Sequence, residues 1–565
     1  MNQGNPARRI SWSQSLVRLW NTVRVLRGSQ ICGRLRRPLE TVLELPYRCS
    51  QPAIGEFPGC RWNHGVTFLP PGPQTFPRAE LQRGRFTFLN RTEELGWPPD
   101  YQVPTALLWK YNLHYMEWIW ALSFADARQA VSHWIEQNPA QANGVGWQPY
   151  PTALRLLTWC GALFGRWRAE TLDDRLFASR LWTSLVRQVT FLRRRMEYHL
   201  LGNHLIEDAA AIAFAGSCFE GDEARRWCGF GRQVLARELE EQILEDGMHF
   251  ERSPMYHSRM LYVLSLLDQS QDEELVGVVQ ACLEPMRKAL QCLCHPDGGI
   301  SLLNDSAHGI YNQPKTLLSA ARSMPNGAFA LAQSGYYGFR GASGFYVVYD
   351  GGEMGPEYLP GHGHADLFSF ELSLKGKRVI VDTGTYGYEN GQRRVVCRST
   401  RAHNTVEIEG QDQSEMWGAF RVGRRATPHD ICCSQRPGGL SVSGWHDGYL
   451  RFPFGGRHER AFAVDGERIR IRDRVEARQS VTAVSRLHLH PDCRVLRVSQ
   501  GDVHLGYPNG RFAVRSNAQS TISIEDTEYH AEFGRSVPNL TIAMTMVGRS
   551  AELEFTIEDS VRTDK

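Results

Sequence analysis

The sequence predicts an α+β chain of two domains, a helical one followed by an antiparallel β one. Three observations carry that expectation. Apolar residues recur at helical spacing from about residue 100 to 330, the period changes to two after about 340, and the helices and strands come in separate blocks. Alternating βαβ units would interleave them. In the helical block, YPTALRLLTWCGALF (150–164), NHLIEDAAAIAFAG (203–216) and SPMYHSRMLYVLSLL (253–267) each read as one helix with an apolar face. In the strand block LFSFELSL (367–374) alternates, Lys375-Gly376 turns and RVIVDTG follows. Asp465-Gly466 and Asn509-Gly510 each read as a type I′ hairpin turn. The expected units are a basic amphipathic helix over 1–40, a connecting segment over 41–99, a helical domain over 100–335 and a β domain over 336–565.

Composition narrows the classes. The chain has 565 residues, 42% hydrophobic and 22% charged, which excludes full-length disorder and fibrous folds. The 64 basic residues nearly cancel the 61 acidic ones, leaving +3. A global field for nucleic acid is absent, so no nucleic-acid partner is expected. No run of eighteen apolar residues occurs, so no transmembrane helix is expected. The 13 cysteines are scattered without a zinc-knuckle spacing and read mostly as buried thiols, leaning to a reducing compartment or a periplasm where thiols survive.

The N-terminal segment stands apart. Residues 1–40 carry Arg8, Arg9, Arg18, Arg24, Arg27, Arg34, Arg36 and Arg37 against one acid, Glu40. Leu16, Leu19, Trp20, Val23 and Leu26 recur at helical spacing. No apolar run of signal-peptide length follows, so the sequence points to a cytoplasmic or membrane-peripheral protein. The segment is read as a helix over residues 8–37 that docks its apolar stripe on the body. Peripheral contact with an anionic membrane is the other reading.

Spacing also marks a site. Tyr150, Asn203 and Tyr256 sit at three helix starts, 53 residues apart each time. A period near fifty fits stacked helical hairpins whose helix starts share one rim. There, positive dipole ends and backbone N–H groups suit an anionic ligand. Asn112, His114 and Tyr115 lie upstream in WKYNLHY. In the β block, His362 and His364 alternate onto one strand face, with Asp382 and His403 further along. These are donors for a borderline metal such as zinc, or members of a polar network without one.

The strings GNHLIED, DGMHFERSPMYH, HPDGGISLLNDSA, LPGHGHADLFSFELSLKGKRVIVDTGTY, RSTRAHNTVEIEGQDQSEMWGAFRVGRRA and WHDGY together resemble the heparinase II/III-like polysaccharide lyases, over roughly residues 100–560. The resemblance implies an N-terminal (α/α) toroid joined to a C-terminal antiparallel β-sandwich. It implies β-elimination at a uronic acid in an acidic polysaccharide, and a periplasmic setting. It assigns Asn203 to the substrate carboxylate, Tyr256 to proton donation, and His362 to the second catalytic position, with His204 a further site residue. It assigns His364, Asp382 and His403 to a structural Zn2+. Asn112, His114, Tyr150, Tyr386 and Tyr388 are the candidate substrate contacts. The basic N-terminal segment, standing where a signal peptide is usual, points toward a bacterium's own exopolysaccharide. Two alternatives remain at this level: a glycan-binding or assembly protein on a lyase scaffold, and a toroid-fold glycoside hydrolase using Glu207, Asp208 and Glu251.

Overall fold

A computed structural model describes residues 12–43, 55–63, 66–72, 76–140, 144–319, 321–517 and 520–559. The chain is a helical toroid followed by a β-sandwich; the order of helices then strands is what the periodicity predicts, and the toroid and sandwich are what the resemblance implies. Among the described residues ten helices of nine or more residues build the toroid and its N-terminal arm. The arm is α1 (Trp12–Val23) and α2 (Gly28–Leu43). The toroid contains α3 (Leu107–Tyr115), α4 (Phe124–Gln137), α5 (Pro149–Trp159), α6 (Arg175–Arg195), α7 (Gly202–Cys218) and α8 (Gly221–Gln242). A further hairpin, α9 (Pro254–Asp268) and α10 (Glu273–Cys292), completes it.

The 53-residue period has a physical origin in burial. Every residue of α5 is buried, as are nearly all of α7 and α9. Helices apolar all round must be surrounded. α6, α8 and α10 bury only a stripe and keep charged faces outside. The inner ring is therefore α5, α7 and α9, and each begins with one of Tyr150, Asn203 and Tyr256. Ser253 caps α9, its Oγ accepting from Tyr256 N at 3.3 Å, with Pro254 at the first helical position.

The sandwich has a five-stranded meander, β1 (Gly327–Leu331), β2 (Tyr336–Arg340), β3 (Tyr346–Asp350), β4 (Phe370–Leu374) and β5 (Lys377–Ile380). The change from helix to strand thus falls at Gly327, upstream of the boundary read at 336. The larger sheet holds β6 (Val406–Ile408), β7 (Pro428–Arg436), β8 (Gly439–His446), β9 (Arg457–Asp465) and β10 (Arg468–His488). It continues with β11 (Arg494–Ser499), β12 (Asp502–Tyr507), β13 (Gly510–Ser516), β14 (Thr521–Tyr529) and β15 (Val537–Asp559). Its path is β7-β8-β9-β10-β15-β13-β12-β11, antiparallel throughout, with β6 on β10 and β14 on β15. Alternate residues of β9 face inward, where Phe462 meets Tyr349 of β3 at 5.0 Å and Phe370 of β4 at 5.3 Å.

The hairpins lie where expected, with two changes of register. Lys375 and Gly376 form the loop between β4 and β5, both at positive φ (47° and 77°), the type I′ signature. Asp465, by contrast, pairs with Arg468, so that loop is Gly466-Glu467. Tyr507 pairs with Gly510, so the other loop is Pro508-Asn509. The described cysteines are free thiols and most are buried. Among the described residues no helix is long and apolar enough to cross a membrane.

The N-terminal arm corrects the sequence reading twice. It is two helices, not one, and it docks through its polar face. Arg8 and Arg9 lie outside the described residues. Arg18 pairs with Glu415 at 3.0 Å, and Thr22 Oγ1 donates to Val422 O at 3.0 Å while accepting from Trp417 Nε1 at 3.1 Å. Arg27 reaches Glu241 of α8. Gln30 Nε2 donates to Tyr358 O at 3.2 Å and is 3.4 Å from Leu200 O, so α2 touches both domains. The stripe of Leu16, Leu19, Trp20 and Val23, expected to dock, faces solvent, and Leu26 is half-buried. Carboxylates and open backbone acceptors on the body hold the arginine-threonine face, which turns the apolar face outward.

Core packing is the checkable link here. Phe462→Ala removes a buried ring between the sheets and should cost about 3–5 kcal/mol, lowering the first thermal transition. Leu176→Ala, at a site 81% exposed, should leave it unchanged within error.

Candidate functional site

The toroid rim and the loop between β3 and β4 meet at one cluster. The Tyr256 ring stacks on the His362 ring with centroids 3.9 Å apart, and Tyr256 Oη shares a hydrogen bond with Tyr388 Oη at 3.0 Å. His362 Nδ1 donates to Asp305 Oδ2 at 3.0 Å, and its Nε2 lies 3.4 Å from Glu251 Oε2. The other oxygen of Glu251 accepts from the Asn203 backbone N–H at 2.8 Å. Glu251 thus joins the start of α7 to the histidine of the other domain.

Two local features make that approach workable. Leu201 and Gly202 enter α7 at φ +67° and +60°, a turn that leaves the Asn203 N–H pointing at Glu251. A Cβ on Gly202 would stand 2.3 Å from Glu251 Oε1 and 2.4 Å from Leu359 Cδ2, so only glycine fits. The Asn203 side chain is then left buried with Nδ2 unpartnered. An unpaired buried amide donor is expensive unless something else fills it.

The electrostatics sort the groups by role. Burial, with the neighbouring Tyr388 and Tyr311 hydroxyls and Asp305, holds the Tyr256 phenol well above its usual range. Tyr388 is raised in the same way. Both keep their protons at neutral pH and are donors. Burial alone would lower the His204 pKa, but Glu197, accepting from its Nδ1 at 2.7 Å, outweighs it and the net shift is upward. An imidazole whose proton Glu197 helps to hold therefore adjoins Asn203, its ring 4.5 Å from that of Tyr150.

Asp305 is the hub. Besides His362 it accepts from His364 Nε2 at 2.9 Å and from Arg394 Nη2 at 2.7 Å. Burial would raise this carboxyl, but Arg394 and the two histidines hold it well below the usual range. Sequence reasoning missed Asp305 and Arg394. Asp305 lies inside the motif string HPDGGISLLNDSA, yet its partners are 57, 59 and 89 residues away, which no local pattern reveals.

The candidate substrate contacts divide. Tyr150 is at the rim, donating to Glu207 Oε1 at 2.7 Å. Tyr388 is in the cluster, whereas Tyr386 turns away to His530 and Arg393. His114 is a core histidine: its Nδ1 accepts from Trp134 Nε1 at 3.1 Å, and burial pushes its pKa down to about 3. Asn112 bonds back to Leu108 O of its own helix. From α3, Tyr115 is the residue facing the rim, its ring 5.9 Å from that of Tyr150, with Tyr111 bonded to Gln148 one turn earlier. A helix puts i and i+4 on one face, so Asn112 and His114 miss the site that Tyr111 and Tyr115 approach.

Three donors gather beside the cluster. Ligand atoms of His364, Asp366 and His403 lie within 4.8 Å of one another, all buried. Among the described residues, His364 Nδ1 and His403 Nε2 find no hydrogen-bond partner. Each histidine gives its other nitrogen to a carboxylate, His364 to Asp305 and His403 to Asp382 at 2.6 Å. That is how metal-ligating imidazoles are oriented, with the free lone pair aimed at the ion. The residues fit a metal. The third donor in reach is Asp366, however, and not Asp382. Both Asp382 oxygens are engaged, Oδ1 by Gly384 N–H at 3.0 Å and Oδ2 by His403.

The carboxylates of a hydrolase are not available. Glu207 is held by Arg259 at 2.7 Å and by Tyr150, Asp208 accepts from Glu197 N at 2.8 Å, and Glu251 bridges Asn203 and His362. No two of the three stand free on either side of a sugar.

Comparison with known proteins agrees with this layout. Residues 109–326 match the heparinase II/III N-terminus and residues 323–558 the heparinase II/III-like C-terminal domain. A heparin-sulfate lyase of Pedobacter heparinus is 28% identical over 243 residues, 37% of this chain and 36% of that protein. One from Bacteroides thetaiotaomicron is 25% identical over 342 residues, 50% of this chain and 48% of that protein. The matched region thus spans a third to a half of these relatives' length. Among solved structures, heparinase III superposes with a TM-score of 0.68 at 16% identity, covering 95% of this chain and 86% of that one. Heparan sulfate lyase HepC from Pedobacter heparinus gives 0.60 at 18% identity, covering 95% and 89%. At such identities the superpositions establish the fold, and the two adjoining domain matches establish descent: the chain belongs to the heparinase II/III-like family.

Proposed function

We propose that this protein is a polysaccharide lyase that cleaves a uronic-acid-containing acidic polysaccharide by β-elimination. The observation that carries the reading is the convergence of the unpartnered Asn203 amide, the protonated Tyr256 phenol and the His362 imidazole at the seam of the two domains. That the relatives are heparin-sulfate lyases supports a uronate-bearing substrate.

The chemistry needs three things: neutralisation of the uronate carboxylate, a base for the C5 proton and an acid for the departing O4. The Asn203 amide supplies the first, with His204 beside it when protonated, lowering the cost of charge that builds on the carboxylate as C5 loses its proton. His362, anchored through Nδ1 on Asp305, offers Nε2 as the base. The C5–H electron pair becomes the C4=C5 bond, the C4–O4 bond breaks, and O4 takes the proton of Tyr256, which Tyr388 steadies. No water is consumed. The products are a 4,5-unsaturated uronate and a free hydroxyl on the leaving sugar.

The metal is proposed to be zinc, held by His364, Asp366 and His403. When bound, it supplies a structural tie between the loop carrying His362 and the segment carrying His403. The wider setting proposed is metabolism of a bacterium's own exopolysaccharide, in keeping with the basic segment at residues 12–37.

Three measurements test this reading. Uronate polymers incubated with the protein should yield ultraviolet-absorbing product, and Tyr256→Phe should lower turnover by about 10² or more; saturated ends only, or no cleavage of any uronate polymer, would overturn it. Protein purified without chelator should carry stoichiometric zinc by elemental analysis, and His364→Ala with His403→Ala should lose it. Because Glu197 holds the His204 pKa up, His204 is charged below that raised value and loses its charge as pH rises through it. Glu197→Gln removes the main upward cause and leaves burial, so the alkaline limb of kcat/KM should move to lower pH.

A further inference from the structure

The N-terminal arm carries an apolar face that nothing among the described residues covers. Of the seventeen large apolar side chains exposed among the described residues, seven come from α1 and α2. On α1 they are Leu16 (62% exposed), Val17, Leu19, Trp20 (67%) and Val23. Positions 16, 19, 20 and 23 follow the i, i+3, i+4, i+7 rule and make one stripe. Arg18 and Thr22, which bond to Glu415 and Val422, lie on the opposite side of the helix. The face is therefore held outward by specific contacts. Ile31 and Leu35 extend the exposed apolar surface onto α2.

Charge identifies the occupant. Residues 1–40 hold eight arginines and one acid, a net of 8 − 1 = +7, in a chain whose total is +3. Arg18 and Arg27 have carboxylate partners, whereas Arg24 and Arg34 are exposed beside the apolar stripe. Burial and then the like charge of nearby Arg421 lower the Arg34 pKa, so two arginines stand close together where the arm meets the body. An apolar stripe with a tryptophan, flanked by arginines, matches an interfacial helix on anionic lipid. A protein partner or a second copy of this chain would have to supply both an apolar groove and a dense acidic rim.

We infer that α1 and α2 form a membrane-docking surface that lays Leu16, Leu19, Trp20 and Val23 into the headgroup region of a bilayer rich in anionic lipid. This surface is separate from the catalytic proposal and does not depend on it. It nevertheless fixes where the cleft would stand. α1 rests on the turn between Trp417 and Val422, and Phe420 in that turn has its ring 5.9 Å from that of His362 and 5.1 Å from that of Tyr388. The site would open beside the lipid surface, facing polysaccharide close to a membrane.

The test is co-sedimentation of the full chain with vesicles of phosphatidylcholine alone or mixed with phosphatidylglycerol. The full chain should bind the phosphatidylglycerol vesicles at least tenfold more tightly, and binding should fall with added salt. Leu16→Glu with Trp20→Glu, at exposed positions, should abolish binding while melting temperature and polymer cleavage stay as in the parent. Failure to bind anionic vesicles overturns the inference. So does binding that the double variant retains, and so does a parent dimer, seen by light scattering, that the variant dissociates without any vesicle binding.

Discussion

A single buried carboxylate, Asp305, organises the junction of the two domains. Taking it out of water is costly, and only good geometry with every oxygen engaged repays that cost. Here a guanidinium and two imidazoles supply it: Arg394, His362 and His364. The consequence reaches beyond stability. One oxygen fixes the histidine that stacks on Tyr256, and the other fixes His364 of the His364, Asp366 and His403 donor set. The cluster around Tyr256 and that donor set are thus coupled through a few ångströms of hydrogen bonding. Ser253 Oγ, which caps the Tyr256 helix, also donates to the backbone carbonyl of Asp305 at 2.6 Å. The same residue therefore aligns the toroid side of the cluster as well.

How much of this was legible in the sequence depends on the range of the interaction. Helix and strand blocks were readable because periodicity is local, and so was the ring of inner helices, because the 53-residue spacing of Tyr150, Asn203 and Tyr256 is the length of one hairpin. The Lys375-Gly376 turn was readable because two positive φ angles demand such residues. Asp305, Arg394 and Glu251 were not legible as a unit, since their contacts span 48 to 89 residues. The choice of Asp366 over Asp382 depended on which carboxylate the backbone of Gly384 had already engaged. His114 failed for a simpler reason: one step along a helix turns a side chain by about 100°, enough to exchange the rim for the core beside Trp134.

Proton inventory explains why the cluster is built in a dry place. A tyrosine in water, with a pKa of about 10, holds its proton at neutral pH but gives it up to hydroxide readily enough. Raised further by burial and by Tyr388, Tyr256 becomes a donor that does not leak its proton to solvent. The penalty of holding the Asn203 amide unpaired in the same dry place falls once a carboxylate arrives to accept from it. Glu197 raises the His204 pKa against the effect of burial, favouring the protonated imidazole. An anion accepting from the Asn203 amide would satisfy that donor, which is the physical basis for proposing an acidic sugar as substrate.

The N-terminal arm reverses the usual order of amphipathic docking. A helix on a protein surface ordinarily turns its apolar stripe inward, since each fully buried large apolar side chain contributes about 1.5–3 kcal/mol. α1 leaves five such side chains in water and docks through Arg18 and Thr22. Exposed ion pairs and single hydrogen bonds are each worth about 1 kcal/mol or less, so the polar contacts do not outweigh the burial forgone. The arrangement is thermodynamically sensible only if the stripe has somewhere else to go. The body is correspondingly built to hold this face outward: Trp417 bonds to Thr22, Tyr358 lies under the Arg27 guanidinium at 3.7 Å, and Gln30 reaches carbonyls of both domains. These contacts orient the arm without covering its stripe, as a surface needs when its partner is not part of the chain.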